Sequence, residues 1–199
     1  MRFNRFAAAV LLAVPALAAA QDAAEHTLSV GVLAGGTFPT GRLSRQLYDP
    51  GYQIGALAQA WTPLRWLGVR VDGSYRRTSL GRQQIVDQQG IPHGTVSVDV
   101  SFRTLAASVV ARAPGLRSPL QPYALAGYGT YGLRGEVTHS DDPTLAPNGR
   151  GDFRYVHGAH VGLGVDAPVG RARAFVETRY EHVGPSLRFM PVDVGVRLR

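Results

Sequence analysis

Apolar and polar side chains alternate with a period of two residues along most of the chain, which is typical of strands with one apolar face. Between Leu67 and Arg76, for example, Val69 and Val71 alternate with Arg70 and Asp72. No helical period fits this segment. The same alternation predicts eight strands, at residues 27–38, 52–61, 67–79, 95–111, 122–134, 153–166, 171–181 and 190–198.

The connections between these predicted strands alternate in length. The second, fourth and sixth are short and rich in Pro or Gly, the first, third and fifth are longer and polar, and the last is intermediate. An even number of antiparallel strands with short turns at one end and long loops at the other is typical of a transmembrane barrel. We therefore predict an all-β fold, an eight-stranded antiparallel transmembrane up-and-down β-barrel with both termini in the periplasm.

Aromatic residues recur near the long-loop end of the apolar face. Rings at one height around a barrel form a girdle at the lipid headgroups, where an amphipathic ring is well solvated. Trp66 and Tyr123 are candidates for a second belt at the short-turn end. The predicted interfacial girdle consists of Phe38, Tyr52, Tyr75, Phe102, Tyr131, Tyr155 and Tyr180.

Charged residues occupy the face opposite the apolar one. An eight-stranded barrel has an interior that side chains fill, so enclosed charges are expected to pair into networks instead of lining a pore. The neighbouring glycines Gly31, Gly55, Gly68, Gly162, Gly164 and Gly195 would make room for the long arginines. The predicted lumen charges are Arg70, Asp72, Asp99, Arg103, Glu177, Arg179, Asp193 and Arg197, joined on the same face by Arg76, Arg173, Asp166 and Glu181.

The N-terminal segment has the pattern of an export signal. Arg2 and Arg5 precede an Ala/Val/Leu block, and Ala18, Ala19 and Ala20 provide the small residues that signal peptidase accepts. We predict a cleaved signal peptide over residues 1–20 and a barrel domain over residues 21–199, exported to the bacterial outer membrane.

Composition narrows the remaining possibilities. The 199 residues include no Cys, which excludes a disulfide scaffold and Cys-based metal sites. The formal net charge is +7 and every basic residue is Arg, but the arginines are scattered through alternating segments and do not form a basic helix. We therefore predict no nucleic-acid partner.

Candidate chemistry is sparse. The segment His139, Ser140, Asp141, Asp142 contains the residue types of a hydrolytic triad, but it lies in a long polar loop and sequence neighbours rarely face one another. His157 and His160 are three apart on a strand and face opposite sides, so they cannot share a metal. Asp141, Asp142, Asn148 and Asp152 lack the spacing of an EF-hand. No catalytic residue, metal site or cofactor is predicted.

Loop arginines are candidates for lipid contacts. The guanidinium group matches the phosphates of lipopolysaccharide well. The four candidates in the long loops are Arg42, Arg45, Arg82 and Arg150.

Several stretches resemble the small eight-stranded outer-membrane barrels, the OmpA-like and OmpX-like family of Gram-negative bacteria. They are residues 31–36 (GVLAGG), 122–127 (PYALAG), 175–180 (FVETRY) and 191–198 (PVDVGVRL). The last strand of that family commonly ends in an aromatic residue, whereas this one ends Leu198, Arg199. The resemblance implies a monomer with a structural or surface-interaction role, whose partners are outer-membrane lipid, lipopolysaccharide and the barrel-assembly machinery.

Two alternatives remain open from the sequence. A lipid-modifying enzyme of the lipid A hydrolase or acyltransferase type would need a Ser and a His that meet at the lipid-facing rim. A soluble periplasmic lipocalin-like barrel would alternate in the same way but would bind an apolar ligand in its lumen. A small pore is disfavoured because side chains fill a barrel of this size.

Overall fold

The computed structural model describes residues 28–64, 66–86, 92–113, 119–140 and 151–198. The predicted signal peptide, residues 1–20, lies outside the described residues. Within the described part, eight strands pair in chain order and close into an antiparallel barrel, because β8 pairs with β1. The elements are β1 (Leu28–Pro39), α1 (Arg42–Leu47), β2 (Gly51–Trp61), β3 (Leu67–Val86), β4 (Pro92–Arg112), β5 (Gln121–Ser140), β6 (Arg154–Val169), β7 (Ala172–Val183) and β8 (Leu187–Leu198).

The predicted fold class is confirmed, and most of the strand starts and ends agree to within a few residues. The strands are unequal, however: β3, β4 and β5 have 20, 21 and 20 residues, whereas β1, β2, β7 and β8 have 11 or 12. The extra length lies at the long-loop end, because β2 begins at Gly51 and its Tyr52 pairs with Arg77 of β3. The barrel wall is therefore tall on one side and low on the other.

The two ends of the barrel close differently. At the short-turn end, β6 and β7 are joined through Gly170 and Arg171, and Gly170 adopts φ 59°, a left-handed conformation that glycine reaches without strain. At the other end α1 follows β1 and is fastened to β8, since the backbone N–H of Arg188 donates to Ser44 Oγ at 2.8 Å. No helix in the described ranges has the length and hydropathy needed to cross a bilayer.

An aromatic cluster fills the lumen beneath α1. The rings of Phe102 and Phe189 lie 5.3 Å apart, and Tyr48, just after α1, packs against both. Val100, Tyr131 and Val183 complete the buried cluster. This cluster plugs the long-loop end of the barrel, while charged side chains fill the lumen below it.

Candidate functional site

The outer surface of the barrel is apolar over its middle. Leu163 is 65% exposed and Val194 is 58% exposed, although both lie in the centre of strands. Their neighbours in the same strands, Asp193 and Gly162, face the interior. Other exposed apolar residues of this surface are Val30, Val32, Ile54, Val69, Val71, Leu105, Val109, Val161, Val176, Val192 and Val196.

The centre of the lumen is an ion-pair network around Glu177. One carboxylate oxygen, Oε2, accepts hydrogen bonds from Arg70 Nη1 and from the Tyr123 hydroxyl, each at 2.7 Å. The other, Oε1, accepts one from Arg179 Nε at 2.6 Å. Arg179 continues to Asp72 through Nη1 at 2.9 Å. All these side chains are buried, so the network is shielded from salt and solvent.

Further ion pairs lie above and below this centre. Toward the aromatic cluster, Arg76 pairs with Glu181 at 2.7 Å and donates to Gln53, whose amide in turn donates to Asp193 at 2.7 Å. Arg76 also stacks over the rings of Phe102 and Phe189. Each charge of this level therefore has an opposite charge, an amide or an aromatic ring beside it.

Asp166 is the centre of the level nearest the short turns. Its carboxylate accepts from Arg173 Nε at 2.7 Å, pairs with Arg197, and lies 3.3 Å from Arg112 Nη2. Arg197 also donates to Gln59 at 2.7 Å. Among the described residues, five buried arginines (Arg70, Arg76, Arg173, Arg179, Arg197) are thus balanced by five buried carboxylates (Asp72, Asp166, Glu177, Glu181, Asp193).

The prediction that Asp99 and Arg103 face the lumen is wrong. Both lie on the outward face of β4, with Leu105 and Val109, while Phe102, Ala106 and Val110 of the other face are enclosed. Asp99 lies in the long-loop half of β4, and Arg103 lies at the middle of the strand, paired with Tyr75 of β3. The structure places the other six, Arg70, Asp72, Glu177, Arg179, Asp193 and Arg197, inside the barrel.

The aromatic residues show the same reversal on β4 and β5. Phe102 and Tyr131 are fully buried in the lumen cluster, so the prediction that they face lipid is wrong. Tyr123 also lies inside, against Glu177, whereas Trp66 is exposed at the short-turn end. The remaining predicted girdle residues lie on the outward face: Phe38, Tyr52, Tyr155 and Tyr180 are exposed and Tyr75 is half-buried.

An outward-facing aromatic residue that the sequence analysis missed is Tyr128. It is 60% exposed on β5 and stacks on His157 of β6 at 6.0 Å between ring centroids. The larger apolar residues of β5, Tyr123, Leu125 and Tyr131, face the lumen, whereas the small Ala124 and Ala126 face outward. Assigning the face with the larger apolar residues to lipid therefore gave the wrong orientation for this strand. The inward glycines Gly127 and Gly129 are the signal that could have reversed the assignment, because large lumen side chains need small neighbours.

Two inward glycines make room for aromatic rings and not, as predicted, for arginines. A Cβ on Gly164 would lie 2.4 Å from Cζ of Tyr123, and one on Gly195 would lie 2.3 Å from Cζ of Phe175. At Gly162 the prediction fits better, since a Cβ there would lie 3.0 Å from Cγ of Arg179. The inward glycines therefore leave space in the lumen both for aromatic rings and for arginine side chains.

The candidate chemical groups do not meet in a catalytic arrangement. The side chains of His139, Asp141 and Asp142 lie outside the described residues, as do Asn148 and Arg150. His157 faces outward beside Thr130, and His160 faces inward at 2.8 Å from Ser108 Oγ. Within the described ranges no group of three or more His, Asp or Glu could hold a metal ion.

An ion pair lies on the outward face beyond the girdle. Arg77 Nη2 and Ser79 Oγ both donate to Asp99, each at 2.6 Å. Burial alone would raise the pKa of Asp99, but the hydrogen bonds from Ser79 and Arg77 and the charge of Arg77 outweigh it and lower that pKa below its usual value.

Comparisons with known proteins agree with this geometry. The family model described as "Outer membrane protein beta-barrel domain" matches residues 6–187. Neisserial surface protein A is similar in structure, with 16% identity, a TM-score of 0.61, and coverage of 86% of this chain and 96% of the other. A major outer membrane protein of Thermus thermophilus has 16% identity and a TM-score of 0.54, covering 87% and 100%. A search among curated proteins finds no sequence that matches the chain.

Proposed function

Since the chain belongs to the outer membrane protein β-barrel family, we propose that it is exported by its N-terminal signal and resides in the bacterial outer membrane as a monomer. Its role there is structural or one of surface interaction, without catalysis. The barrel-assembly machinery inserts it, and its outward face contacts outer-membrane lipid and lipopolysaccharide.

The inverted polarity of the barrel is the observation that carries this proposal. Apolar side chains such as Leu163 and Val194 are exposed, while Arg70 and Glu177 are enclosed and paired. In water this arrangement would expose apolar surface around the whole cylinder, whereas in a bilayer the same surface is solvated by acyl chains. The arrangement therefore favours a lipid environment.

The filled lumen argues against transport and against ligand storage. Arg70, Arg76, Tyr131 and Phe102 are among its fully buried side chains, and together they occupy successive levels of the interior. A lipocalin-like protein needs an apolar internal cavity for its ligand. Here the interior holds ion pairs and an aromatic plug, so neither a pore nor an apolar binding site is part of the proposal.

The described residues of the outward face do not support the alternative of a lipid-modifying enzyme. His157, on the outward face, contacts Thr130 and Tyr128 instead of a serine and a carboxylate. Ser108 and His160 do form a hydrogen bond, but both are buried in the lumen, where lipid cannot reach them. Surface interaction is favoured instead by the tall wall of β3, β4 and β5 beyond the girdle.

Cell fractionation tests the proposal directly. The protein is expected to sediment with the outer membrane, to stay there after osmotic shock, and to migrate differently on gels before and after heating because the closed barrel resists detergent. Release in the shock fluid would contradict the location. Steady large conductance in planar bilayers would contradict the filled lumen.

A further inference from the structure

Two arginines and one phenylalanine form a basic patch on the outward face of the tall wall. We call Arg103 of β4, Arg134 of β5 and Phe153, just before β6, the wall patch. Arg103 shares its face of β4 with the exposed Leu105, and Arg134 shares its face of β5 with the exposed Tyr128. The patch therefore faces away from the lumen.

The ring of Phe153 contacts the guanidinium groups of both arginines. Arg103 Cζ lies 4.5 Å from the ring centroid of Phe153, and Arg134 Cζ lies 5.4 Å from it. Cation–π contacts fix the direction of a guanidinium but do not neutralise it. Two like charges on one ring repel each other, and an anion placed between them would relieve that repulsion.

Within the described residues, no carboxylate pairs with the guanidinium of Arg103 or of Arg134. The side-chain contacts of both arginines are those with the ring of Phe153. The Nε of Arg134 is buried and has no hydrogen-bond partner. By contrast, the neighbouring Arg77 is paired with Asp99.

Strand pairing fixes the depth of the patch relative to the girdle. Arg103 pairs with Tyr75 on one side and with Gly132 on the other, and Gly132 pairs with Tyr155. The ring of Tyr155 lies across Gly132, since a Cβ there would be 2.9 Å from Cε1 of Tyr155. Arg103 is thus in one pairing row with two girdle tyrosines, at the level where lipid headgroups begin.

The acidic residues of the same face lie farther from the bilayer. Asp99 of β4 and Glu136 of β5 are strand-pairing partners, and they lie one outward-facing row beyond Arg134. Asp99 accepts hydrogen bonds from Arg77 and Ser79. The side of the patch that looks toward the headgroups is therefore purely basic. A phosphate arriving from the outer leaflet would meet two guanidinium groups and an amphipathic tyrosine border.

From this placement we propose that the wall patch binds the phosphate groups of lipopolysaccharide in the outer leaflet, with Arg103 and Arg134 donating to the phosphate oxygens and Phe153 holding them in place. This inference rests on the proposed outer-membrane location. It moves the expected lipid contacts from the long loops, where Arg42, Arg45, Arg82 and Arg150 were the candidates, to the wall. Guanidinium groups suit this ligand because they donate two parallel hydrogen bonds to phosphate oxygens.

Native mass spectrometry of the barrel folded in detergent micelles, with lipid A added, tests the site. Arg103→Gln and Arg134→Gln are each expected to weaken binding of diphosphorylated lipid A by about tenfold, since each removes a charged hydrogen bond to phosphate. Arg171→Gln is the matched control, because Arg171 is also exposed but lies in the short turn at the opposite end, and it is expected to bind as the wild type. Lipid A stripped of both phosphates is expected to bind all four proteins equally weakly.

Three outcomes would overturn the site. The first is undiminished binding by the Arg103→Gln/Arg134→Gln double variant, and the second is an equal loss in Arg171→Gln. The third is displacement of lipid A by phosphatidylglycerol or inorganic phosphate at matched concentration, which would mean that any phosphate suffices. Each sample is first checked for the heat-dependent gel shift of a folded barrel, so that a loss of binding in a folded variant is assigned to the site, while cell fractionation tests the proposed location separately.

Discussion

The hydroxyl of Tyr123 and the guanidinium of Arg70 donate to the same carboxylate oxygen, Oε2 of Glu177, each at 2.7 Å. This convergence joins β5, β3 and β7 across the lumen. A carboxylate that accepts several hydrogen bonds can remain ionised away from water, which explains how charged side chains fill the interior of the barrel.

Removing the tyrosine hydroxyl tests that convergence. Tyr123→Phe keeps the ring against Gly164 but removes one charge-assisted hydrogen bond, so the free energy of unfolding is expected to fall by about 1–3 kcal/mol. Urea unfolding in micelles, followed by the gel shift, measures it. Tyr128→Phe is the control, because Tyr128 faces outward and is expected to change little. Equal effects at both positions would contradict the lumen role of Tyr123.

Neutralising Glu177 is expected to be more severe. Glu177→Gln leaves Arg70 and Arg179 buried with less opposite charge, and breaking a buried pair by removing one partner costs about 3–5 kcal/mol. Asp99→Asn is the comparison, because it breaks the partly exposed pair with Arg77, and such pairs contribute less than about 1 kcal/mol. Folding yields and urea midpoints of the two variants should differ clearly, and similar midpoints would refute the assignment of Glu177 as the centre of the network.

The inward glycines are expected to tolerate no side chain. Gly195→Ala would place a Cβ 2.3 Å from Cζ of Phe175, and such overpacking is expected to destabilise the barrel by about 1–3 kcal/mol or to block its closure. Gly73→Ala is the matched control, since its nearest neighbour would be 3.7 Å away. Refolding yield in micelles measures both. The pairing of Gly195→Ala with Phe175→Leu should recover part of the loss.

A charge on the outward face distinguishes a bilayer from water. Leu163→Arg is expected to destabilise the embedded barrel by about 2–4 kcal/mol, because the guanidinium would enter the hydrocarbon layer. Leu64→Arg is the control: Leu64 is similarly exposed, but it lies in the turn between β2 and β3. Unfolding in lipid bilayers measures both variants. Equal stability of the two would indicate that Leu163 does not face lipid.

The ion pair at Asp99 predicts a specific pH dependence. Its folded-state pKa lies below the ordinary value of 3.8, so the pair stabilises the wall above pH 3.8, and that contribution is lost as the pH falls through the lowered pKa. NMR titration of the Asp99 carboxyl carbon measures this pKa. Arg77→Gln is expected to raise it. An unchanged pKa in that variant would show that Arg77 does not stabilise the carboxylate.

The sequence was sufficient for the fold because period-two alternation and the alternating connection lengths are properties of the chain itself. On β3 and β7 it was sufficient for the facing as well, since Arg70 with Asp72 and Glu177 with Arg179 alternate with apolar positions over the middle of each strand. Charge there has one favourable location in a closed barrel, the interior.

On β4 the same reasoning assigned the wrong face, because neither set of alternating positions carries a charge between Thr104 and Val110, and the uncharged Thr104 and Ser108 of the inward set gave only a weak signal. Arg103 and Asp99 marked their set as inward. However, Arg103 lies in one pairing row with the girdle residues Tyr75 and Tyr155, and Asp99 lies beyond that row, where a charge is solvated on the outside. Their position along the strand, not their sign, was the missing information. It depends on how far each strand rises above the bilayer, which alternation does not encode.

Unequal strand lengths give the molecule a front and a back. The six residues 81–86 extend about 20 Å along β3 past Leu80, which forms a bridge with Tyr48, and with the usual tilt of such strands this crest stands about 14 Å above that bridge. In the proposed outer-membrane location, a large object that approaches the cell meets the crest first and the low side afterwards. Rotation of the barrel about the membrane normal therefore changes what it presents to a neighbour, so its encounters are directional even though the cylinder beneath is nearly round.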